Sequence, residues 1–545
     1  MNQTAFNLLD EKWIRVIKPD AETAEVSLTD ALIHAHQYTD LAGEMSAQDV
    51  ATLRLLLAVL HTVFTRVDAT GSAEEIGSVQ DALKRWQALW RMGRFPDALI
   101  REYLEKWHER FWLFHPERPF YQVNEAAAGT ANAACKLNGE ISQSNNKERL
   151  FSIRSGEQKE KMTYAEAARW LLYVNAYDDN AGKPKGKDLP TPGIGWLGKL
   201  GLITAEGSNL FETLLLNMVL LPDRKLWEEP ERPCWELEKS RGGERVQITI
   251  PHNAAELLTL QSRRILLQRQ DDAVTGYTLL GGDFFDEKDA LQEQMTVWRD
   301  VRDNKEGVHQ YFKPRPHDMA RQMWRDFETI TSAGEGSLRP GVVRWVALLE
   351  HNHLLDGRRL ISFRIASVQY GDKNFFVRHV FDDRLSFHTE LLTQAGAVGY
   401  QYALMEIKNV DRAAGYIDSL ADNLYKASGG RGKSNADEIK SRFYDAVDAP
   451  FRLWLASLDP EEGAEALLMK QVAWRGQAKR LARRLGEQMI ADAGRAAFLG
   501  RTVEIKDRNG KTQDKRHYSS PEAARWFKIN LNKLYPDDRE TEGGT

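Results

Sequence analysis

Near residue 395 the hydrophobic pattern of this chain changes period and does not change back. Downstream, apolar and aromatic residues recur only at three- and four-residue spacing, in segments at roughly 395–427, 436–457, 462–499 and 520–534. Each segment is long enough for several helical turns, and each carries a stripe that must be buried against a neighbour. Gly/Ser-rich, Asp-Pro-containing or basic loops separate them, so a four-helix bundle is expected. Upstream, period-two runs alternate with helical stretches. A chain of 545 residues also exceeds what one core can hold. The expected fold class is α+β: a large mixed N-terminal domain over 1–394, followed by a C-terminal four-helix bundle over 395–545.

Within the first domain the opening reads as a strand (Trp13 to Val16), a turn at Pro19 and Asp20, a strand (Ala24 to Leu28) and a helix from near Thr29. A second helix opens with Ser46 and Asp49 in capping-box-like spacing and runs through Leu53, Leu56, Leu57, Leu60 and Val63. Two stretches without periodicity, ISQSNNKERLFSIRSGEQ and DDNAGKPKGKDLPTPGIG, flank a helix from Tyr164 to Tyr177. Loops of that length inside a domain are usually functional or disordered.

Between Leu360 and Val377 the sequence LISFRIASVQYGDKNFFV sets two strand-like runs around a short polar tip. Ile361, Phe363 and Ile365 alternate with Ser362, Arg364 and Ala366, the period of a strand with one buried face. Phe375, Phe376 and Val377 form the return. Gly371 and Asp372 are expected to supply the positive-φ or Asx-type geometry of the turn. What projects is a cation, Lys373, and a side-chain amide, Asn374. Both can donate to acceptors on base edges and phosphates.

A formal net charge of −5 looks unpromising for nucleic acid until it is mapped. From Lys470 to Lys533 there are 16 Lys+Arg against 6 Asp+Glu, a net of +10 that leaves −15 for the remainder. Such a division offers phosphates a local landing surface. In the third helical segment Trp474, Ala478, Leu481, Leu485 and Met489 trace the expected core stripe. Arg475, Lys479 and Arg483 run along a neighbouring stripe with Arg480 and Arg484 beside them, and no acid interrupts these five cations. Phosphate contact is the chemistry they suit. Further basic residues extend from Arg501 to His517, around a turn at Asn509-Gly510.

Three patterns invite an enzymatic reading, and each lacks its context. Ala427 to Ser434, ASGGRGKS, satisfies a relaxed P-loop spelling, but a P-loop follows a strand and this stretch follows a helix. His351-Asn352-His353 spells the letters of the HNH nucleases, whose three residues are dispersed over a ββα-metal unit instead of adjacent. Arg378, His379, Asp382 and Asp383 could build a metal or acid–base site, yet no second cluster stands at ligand spacing, and surface salt bridging is expected. No catalytic residue, metal site or cofactor is assigned. Cys135 and Cys234 are the only cysteines, too few for a disulfide framework or a cysteine-rich zinc site. No run of ~18 apolar residues and no basic-then-apolar leader occurs, so no membrane association is expected and a cytoplasmic location is.

Several stretches together resemble the CasA family, the large subunit of the type I-E CRISPR effector complex Cascade. They are FNLLDEKWIRV at the start, FWLFHPERPFYQV (Phe111 to Val123), NNKERLFS (Asn145 to Ser152), LLLNMVLLP (Leu214 to Pro222) and SRFYDAV (Ser441 to Val447), in family order across nearly the whole chain. The resemblance implies a non-catalytic DNA-recognition subunit. In that family, guide RNA reads the target by base pairing, while the large subunit reads a short flanking PAM on the duplex. It also wedges the strands apart and docks a helicase–nuclease that acts in trans.

The implied partners are a guide RNA (crRNA) ribonucleoprotein with the other Cascade subunits, and target double-stranded DNA. By position, the family's wedge hairpin falls on Gly371 to Asn374, with Lys373 and Asn374 where the family carries amides. Its glycine loop falls on AGKPKG, keeping Gly182 and Gly186 and adding Lys183 and Lys185. A PAM-contacting lysine falls on Lys288. The loop that contacts the guide and neighbouring subunits falls on residues 138–156, with Asn145, Asn146 and the anchoring aromatic Phe151. Arg475, Lys479, Arg480, Arg483 and Arg484 would guide a DNA strand or face the small subunit. The competing readings are an assembly scaffold that binds nucleic acid without base readout, and a metal- or nucleotide-dependent nuclease or ATPase.

Overall fold

The computed structural model describes residues 4–142, 152–181, 191–222, 226–238, 250–303, 309–332, 338–355, 359–430, 436–506 and 512–536. Helices and strands are mixed, and the chain divides into two compact units. The first comprises Met1–Arg321, Thr329–Leu354 and Ile361–Arg384; the second comprises Gln322–Glu328, Leu355–Leu360 and Leu385–Thr545.

The first unit is organised around helix Ser46–Arg66, in which every residue from Ala47 to Phe64 is buried. A helix apolar on all sides has no solvent face to offer, and helices Asp97–Lys106, Tyr164–Tyr177, Leu210–Asn217 and Ala254–Leu258 pack around it. It is the one helix among the described residues long and apolar enough to cross a membrane, and 94% of its apolar window is covered by the rest of the protein. Among its buried polar residues, Arg54 donates to both Glu293 carboxylate oxygens at 2.9 and 3.0 Å. The Trp196 indole donates to the same carboxylate.

The Ser46/Asp49 spacing is not a capping box. Met45 is the N-cap and makes no side-chain bond. Asp49 instead accepts from the Gly43 N–H at 2.7 Å, in a site so desolvated that its carboxyl is pushed up to about 7. A reciprocal capping box does form at Thr163 and Glu166, and it starts helix Tyr164–Tyr177.

Apart from Leu360–Tyr370 and Val377–His388 the strands are short, and the described pairings are antiparallel. Strand Leu360–Tyr370 is the middle of a three-stranded sheet between Leu202–Glu206 and Val377–His388. Phe363 stands opposite Ala205 and Ile365 opposite Ile203. Ile361, Phe363 and Ile365 are buried while Ser362 and Arg364 are half-buried, as the period-two pattern requires. From Ala366 to Val368 both faces are buried, so the alternation ends before the tip. Asp382, on the return strand, pairs with Arg364 at 3.5 Å. His351 closes helix Gly341–His351, and the Asn352 amide caps it on the Leu348 carbonyl at 2.8 Å.

In the second unit, helix Ala397–Ala427 packs against helices Ala436–Ala456, Ala464–Asp492 and Ser520–Leu534. Trp454 and Trp474 stack with ring centroids 5.5 Å apart, and Phe451 meets Trp474 edge-on at 5.1 Å. The buried stripe of Ala464–Asp492 runs through Gln471, Trp474, Ala478, Lys479, Ala482 and Gly486. Leu481, Leu485 and Met489, expected in that stripe, are only half-buried. The reason is close approach: a Cβ on Gly486 would lie 2.3 Å from the Phe527 ring, so Phe527 of the last helix occupies the space.

Helix Ala397–Ala427 leads directly into the P-loop-like stretch. There Gly429 has φ +104° and the Gly430 N–H bonds the Tyr425 carbonyl at 2.8 Å. Residues 431–435 lie outside the described set. The basic stretch after residue 500, which separates the last two helical segments, is an antiparallel hairpin, Arg501–Lys506 with Thr512–Tyr518. Val503 and Ile505 alternate with Glu504 and Lys506 in the first strand, a short period-two signal, whereas Asp514, Lys515 and Arg516 stand side by side in the second and leave no such pattern. Asn509 and Gly510 lie outside the described residues.

Candidate nucleic-acid interface

The tip of the 360–388 hairpin is a short 3₁₀ turn, Asp372–Asn374, with Lys373 and Asn374 exposed. Gly371 is not the left-handed residue it was expected to be; its φ and ψ are −73° and −169°. Lys373 (φ 54°), Asn374 (φ 60°) and Phe376 (φ 47°) carry the positive φ instead. Glycine is required at 371 by proximity. A Cβ there would stand 2.7 Å from the Phe375 carbonyl oxygen and 2.9 Å from the Phe376 ring. Asparagine enters the left-handed region readily, but for lysine it costs about 1–2 kcal/mol. Contacts from elsewhere must hold such a tip.

Those contacts come from the segment that follows helix Tyr164–Tyr177. The Asn180 N–H donates to the Asn374 carbonyl at 3.0 Å, and the Asn180 side-chain amide donates to the Lys373 carbonyl at 3.3 Å. One Asp179 carboxylate oxygen accepts the Phe376 N–H at 3.0 Å and the other the Ala181 N–H at 2.8 Å. The Tyr370 hydroxyl donates to the Tyr177 carbonyl at 2.7 Å. Each left-handed residue of the tip is therefore tied to 179–180.

Beneath this segment lies Arg263, 1% exposed. It pairs with Asp178 and donates to the carbonyls of Asp178, Asp179 and Gly193 at 3.2, 3.1 and 2.6 Å. One guanidinium so grips the chain on both sides of residues 182–190. Sequence reasoning missed Arg263, Asp179 and Asn180. Asp179 and Asn180 stand in a stretch already marked by its lack of periodicity, whereas nothing in RRILLQRQ distinguishes Arg263 from a surface arginine.

Beside the tip opens a groove of about 440 Å³ whose lining includes Asn374, Tyr370, Lys199, Arg299, Lys313 and Glu287. Lys313 is committed to Glu287 at 2.8 Å, a bond that raises its pKa against the opposing desolvation. The Lys199 ammonium stands 4.7 Å over the Phe284 ring, and burial lowers its pKa. Lys288 adjoins Glu287 in sequence; it is exposed, with its ammonium 5.3 Å over the Tyr311 ring. Lys199, Arg299 and Lys313 were not anticipated, because they are scattered over more than a hundred residues.

The basic helix face in the second unit splits in two. Arg480, Arg483 and Arg484 are exposed. Arg475 is spent internally, donating to the wholly buried Glu406 carboxylate at 2.7 Å, and Lys479 is 4% exposed. Lys479 presents no cation to solvent and Arg475, 31% exposed, has its charge paired with Glu406, which leaves Arg480, Arg483 and Arg484 as the exposed cations of the expected stripe. Gly182, Lys183 and Lys185, and also Asn145, Asn146 and Phe151, lie outside the described residues.

Fold and surface together define a large two-unit α+β protein that displays polar and cationic groups on an exposed tip and an open groove. The chain belongs to the family of the CRISPR-associated protein Cse1, whose model matches residues 7–485. The CRISPR-associated protein CasA/Cse1 of Thermus thermophilus is 35% identical over 244 residues. That match spans 43% of this chain and 44% of the relative, less than half of either. Among solved structures, Thermobifida fusca Cse1 is 29% identical with a TM-score of 0.82 over 98% of both chains. Cse1 from Acidimicrobium ferrooxidans, at 24% identity, shares the fold with a TM-score of 0.76 over 97% of this chain and 99% of that one. So does a chain of a CRISPR RNA-guided surveillance complex, at 17% identity and a TM-score of 0.65 over 90% and 99%.

Proposed function

We propose that this chain is the large, non-catalytic subunit of a type I-E RNA-guided surveillance complex. In that reading it recognises the PAM in double-stranded DNA, helps open the duplex and docks a helicase–nuclease supplied in trans. The observation that carries the reading is the tip itself. A cation and an amide, Lys373 and Asn374, are exposed on a strained turn tied to the segment that leads into Gly182, Lys183 and Lys185. Lys199, Arg299 and Lys313 line the groove alongside.

A minor groove offers a degenerate hydrogen-bond pattern, so a tip of this kind reads shape together with a few acceptors. Inserting it between base steps costs a few kcal/mol of unstacking. Guide pairing then replaces duplex pairing in a near-balanced exchange, which phosphate contacts are able to tip. Lys288 supplies one such cation near the groove, and Arg480, Arg483 and Arg484 supply three on the second unit, whose four helices act as a bundle facing a strand or the small subunit. Asn145, Asn146 and Phe151 belong to the stretch that meets the guide RNA and neighbouring subunits. The setting is the cytoplasm.

The test is duplex binding by the protein assembled with its guide-RNA complex, against a library randomised in the bases flanking one matched target. A sharp flank preference that Lys373→Ala/Asn374→Ala removes is the expected result. Equal binding across the library overturns the reading and leaves an assembly scaffold.

A further inference from the structure

Lys373, Asn374 and Phe376 occupy a region that L-residues disfavour, and bonds within the hairpin are one part of what holds them there. Gly371 accepts from the Asn374 N–H and donates to the Phe375 and Phe376 carbonyls, and Asp372 accepts from Phe375. A further restraint is polar and comes from a distant part of the chain. Asn180 holds the carbonyls of Lys373 and Asn374, and Asp179 holds the Phe376 N–H.

Asp179 makes a bridge: its second oxygen takes the Ala181 N–H, so one carboxylate fixes the bend of its own segment and the return strand of the hairpin together. Arg263 fixes that segment from below through Asp178 and the Asp179 carbonyl. The carboxylate–amide bonds and the guanidinium–carbonyl bonds are charge-assisted, the strong class of hydrogen bond. Fixing a reading group to within a fraction of an ångström is what such supporting contacts achieve at a binding site.

We propose that Asp179 and Asn180, anchored by Arg263, are positioning residues for the tip, and that they set how sharply Lys373 and Asn374 discriminate between flanking sequences. They act through the backbone of the tip and do not themselves touch DNA. The inference rests on the reading of the tip as the element that meets the duplex.

The experiment compares Asp179→Ala, Asp179→Asn and Asn180→Ala with wild type and with Lys373→Ala/Asn374→Ala, all assembled in the guide-RNA complex. Three quantities are read: complex assembly, affinity for the preferred flank relative to the pool of other flanks, and hydrogen exchange of the 370–377 backbone amides. Asp179→Ala is expected to lower the flank ratio about tenfold or more, the scale of one lost hydrogen bond to a charged group. Assembly is expected to be unchanged and exchange in 370–377 faster.

Asp179→Asn has one acceptor oxygen for two N–H donors, so it should fall between wild type and Asp179→Ala on both the ratio and the exchange. A merely structural residue would move stability without this graded selectivity. If Lys373→Ala/Asn374→Ala abolishes the flank ratio while Asp179→Ala and Asn180→Ala keep it, the positioning role is refuted and the tip's role stands. If the tip variant itself keeps the ratio, the functional reading fails. Arg263→Lys is the secondary variant. It keeps the charge but cannot span Asp178, Asp179 and Gly193, and a wild-type flank ratio in a folded Arg263→Lys complex would remove the anchor from the proposal.

Discussion

Replacing Gly371 by alanine separates the geometry of the tip from its chemistry, because the exposed groups on Lys373 and Asn374 are untouched. The backbone at 371 is extended and accommodates alanine without strain, so lowered unfolded-state entropy would favour the substitution by about 0.4–1 kcal/mol. Opposing this, the new Cβ would lie 2.7 Å from the Phe375 carbonyl oxygen and 2.9 Å from the Phe376 ring. The nearest atom is backbone and cannot rotate away, and overpacking of this kind costs about 1–3 kcal/mol. The steric term is the larger, leaving a net of about 1–2 kcal/mol against the native tip, or a factor of about 5–30. That displacement also lengthens the bonds by which Gly371 donates to Phe375 and Phe376. In the flank-library assay Gly371→Ala should lose about that factor of selectivity with assembly intact. Lys373→Gly is the complement, relieving the left-handed residue while deleting its cation. Wild-type selectivity in Gly371→Ala, beside a loss in Lys373→Gly, would show that side-chain chemistry alone is read and that the tip's conformation is immaterial.

Two other outcomes follow from buried and exposed charge. The Glu231 carboxyl, 4% exposed, is pushed up by desolvation from its ordinary 4.5 to about 7. A group raised in this way stabilises the fold fully only below its unfolded pKa, and loses that contribution as pH rises through the folded value. Glu231→Gln keeps an acceptor for the Ala255 N–H, so relative to wild type it should gain about 3 kcal/mol between roughly pH 4 and pH 8. Denaturant midpoints across that range measure the difference, and a pH-independent offset would contradict it. On the second unit, Arg480→Gln/Arg483→Gln/Arg484→Gln should shallow the slope of log affinity against log salt by about 2 to 3, at roughly 0.7–0.9 per phosphate contact. Arg475→Ala should leave the slope unchanged and cost about 2 kcal/mol in unfolding, because Glu406 then keeps only Gln471 and Asn409. An unaltered slope in the triple variant would remove that face from DNA contact.

What was legible in the sequence is what hydrophobic periodicity encodes. Helix Tyr164–Tyr177 was readable as an apolar stretch, buried throughout from Ala167 to Tyr177, and the strand through Ile361, Phe363 and Ile365 was readable because burial alternates there residue by residue. The basic helix face was half legible. Arg480, Arg483 and Arg484 are exposed, but Lys479 is buried and Arg475 bonds Glu406, sixty-nine residues earlier in the chain. A charge's partner leaves no trace in its local spacing. The handedness of the tip was illegible for the same reason. Gly371 and Asp372 carry the usual signature of a turn, yet the positive φ falls on Lys373, Asn374 and Phe376, whose restraints come from Asp179 and Asn180. Local propensity loses to tertiary contact where a strained conformation is held from outside.

That arrangement restricts how such a tip is able to diverge. Positions 373 and 374 are both left-handed and both exposed, so their side chains are free to change chemically, but only within residues that tolerate positive φ. Glycine and asparagine enter that region most easily, lysine pays for it, and β-branched residues are all but excluded. The contacts that offset the cost run through the carbonyls of 373 and 374, not through their side chains. Substitution at the tip therefore leaves its supports in place, while substitution at Asp179 or Asn180 leaves the tip's chemistry in place and removes its supports. Two sets of residues, close in space and nearly two hundred positions apart in sequence, thus divide one task. One supplies the groups that meet the partner, and the other supplies the geometry in which those groups discriminate.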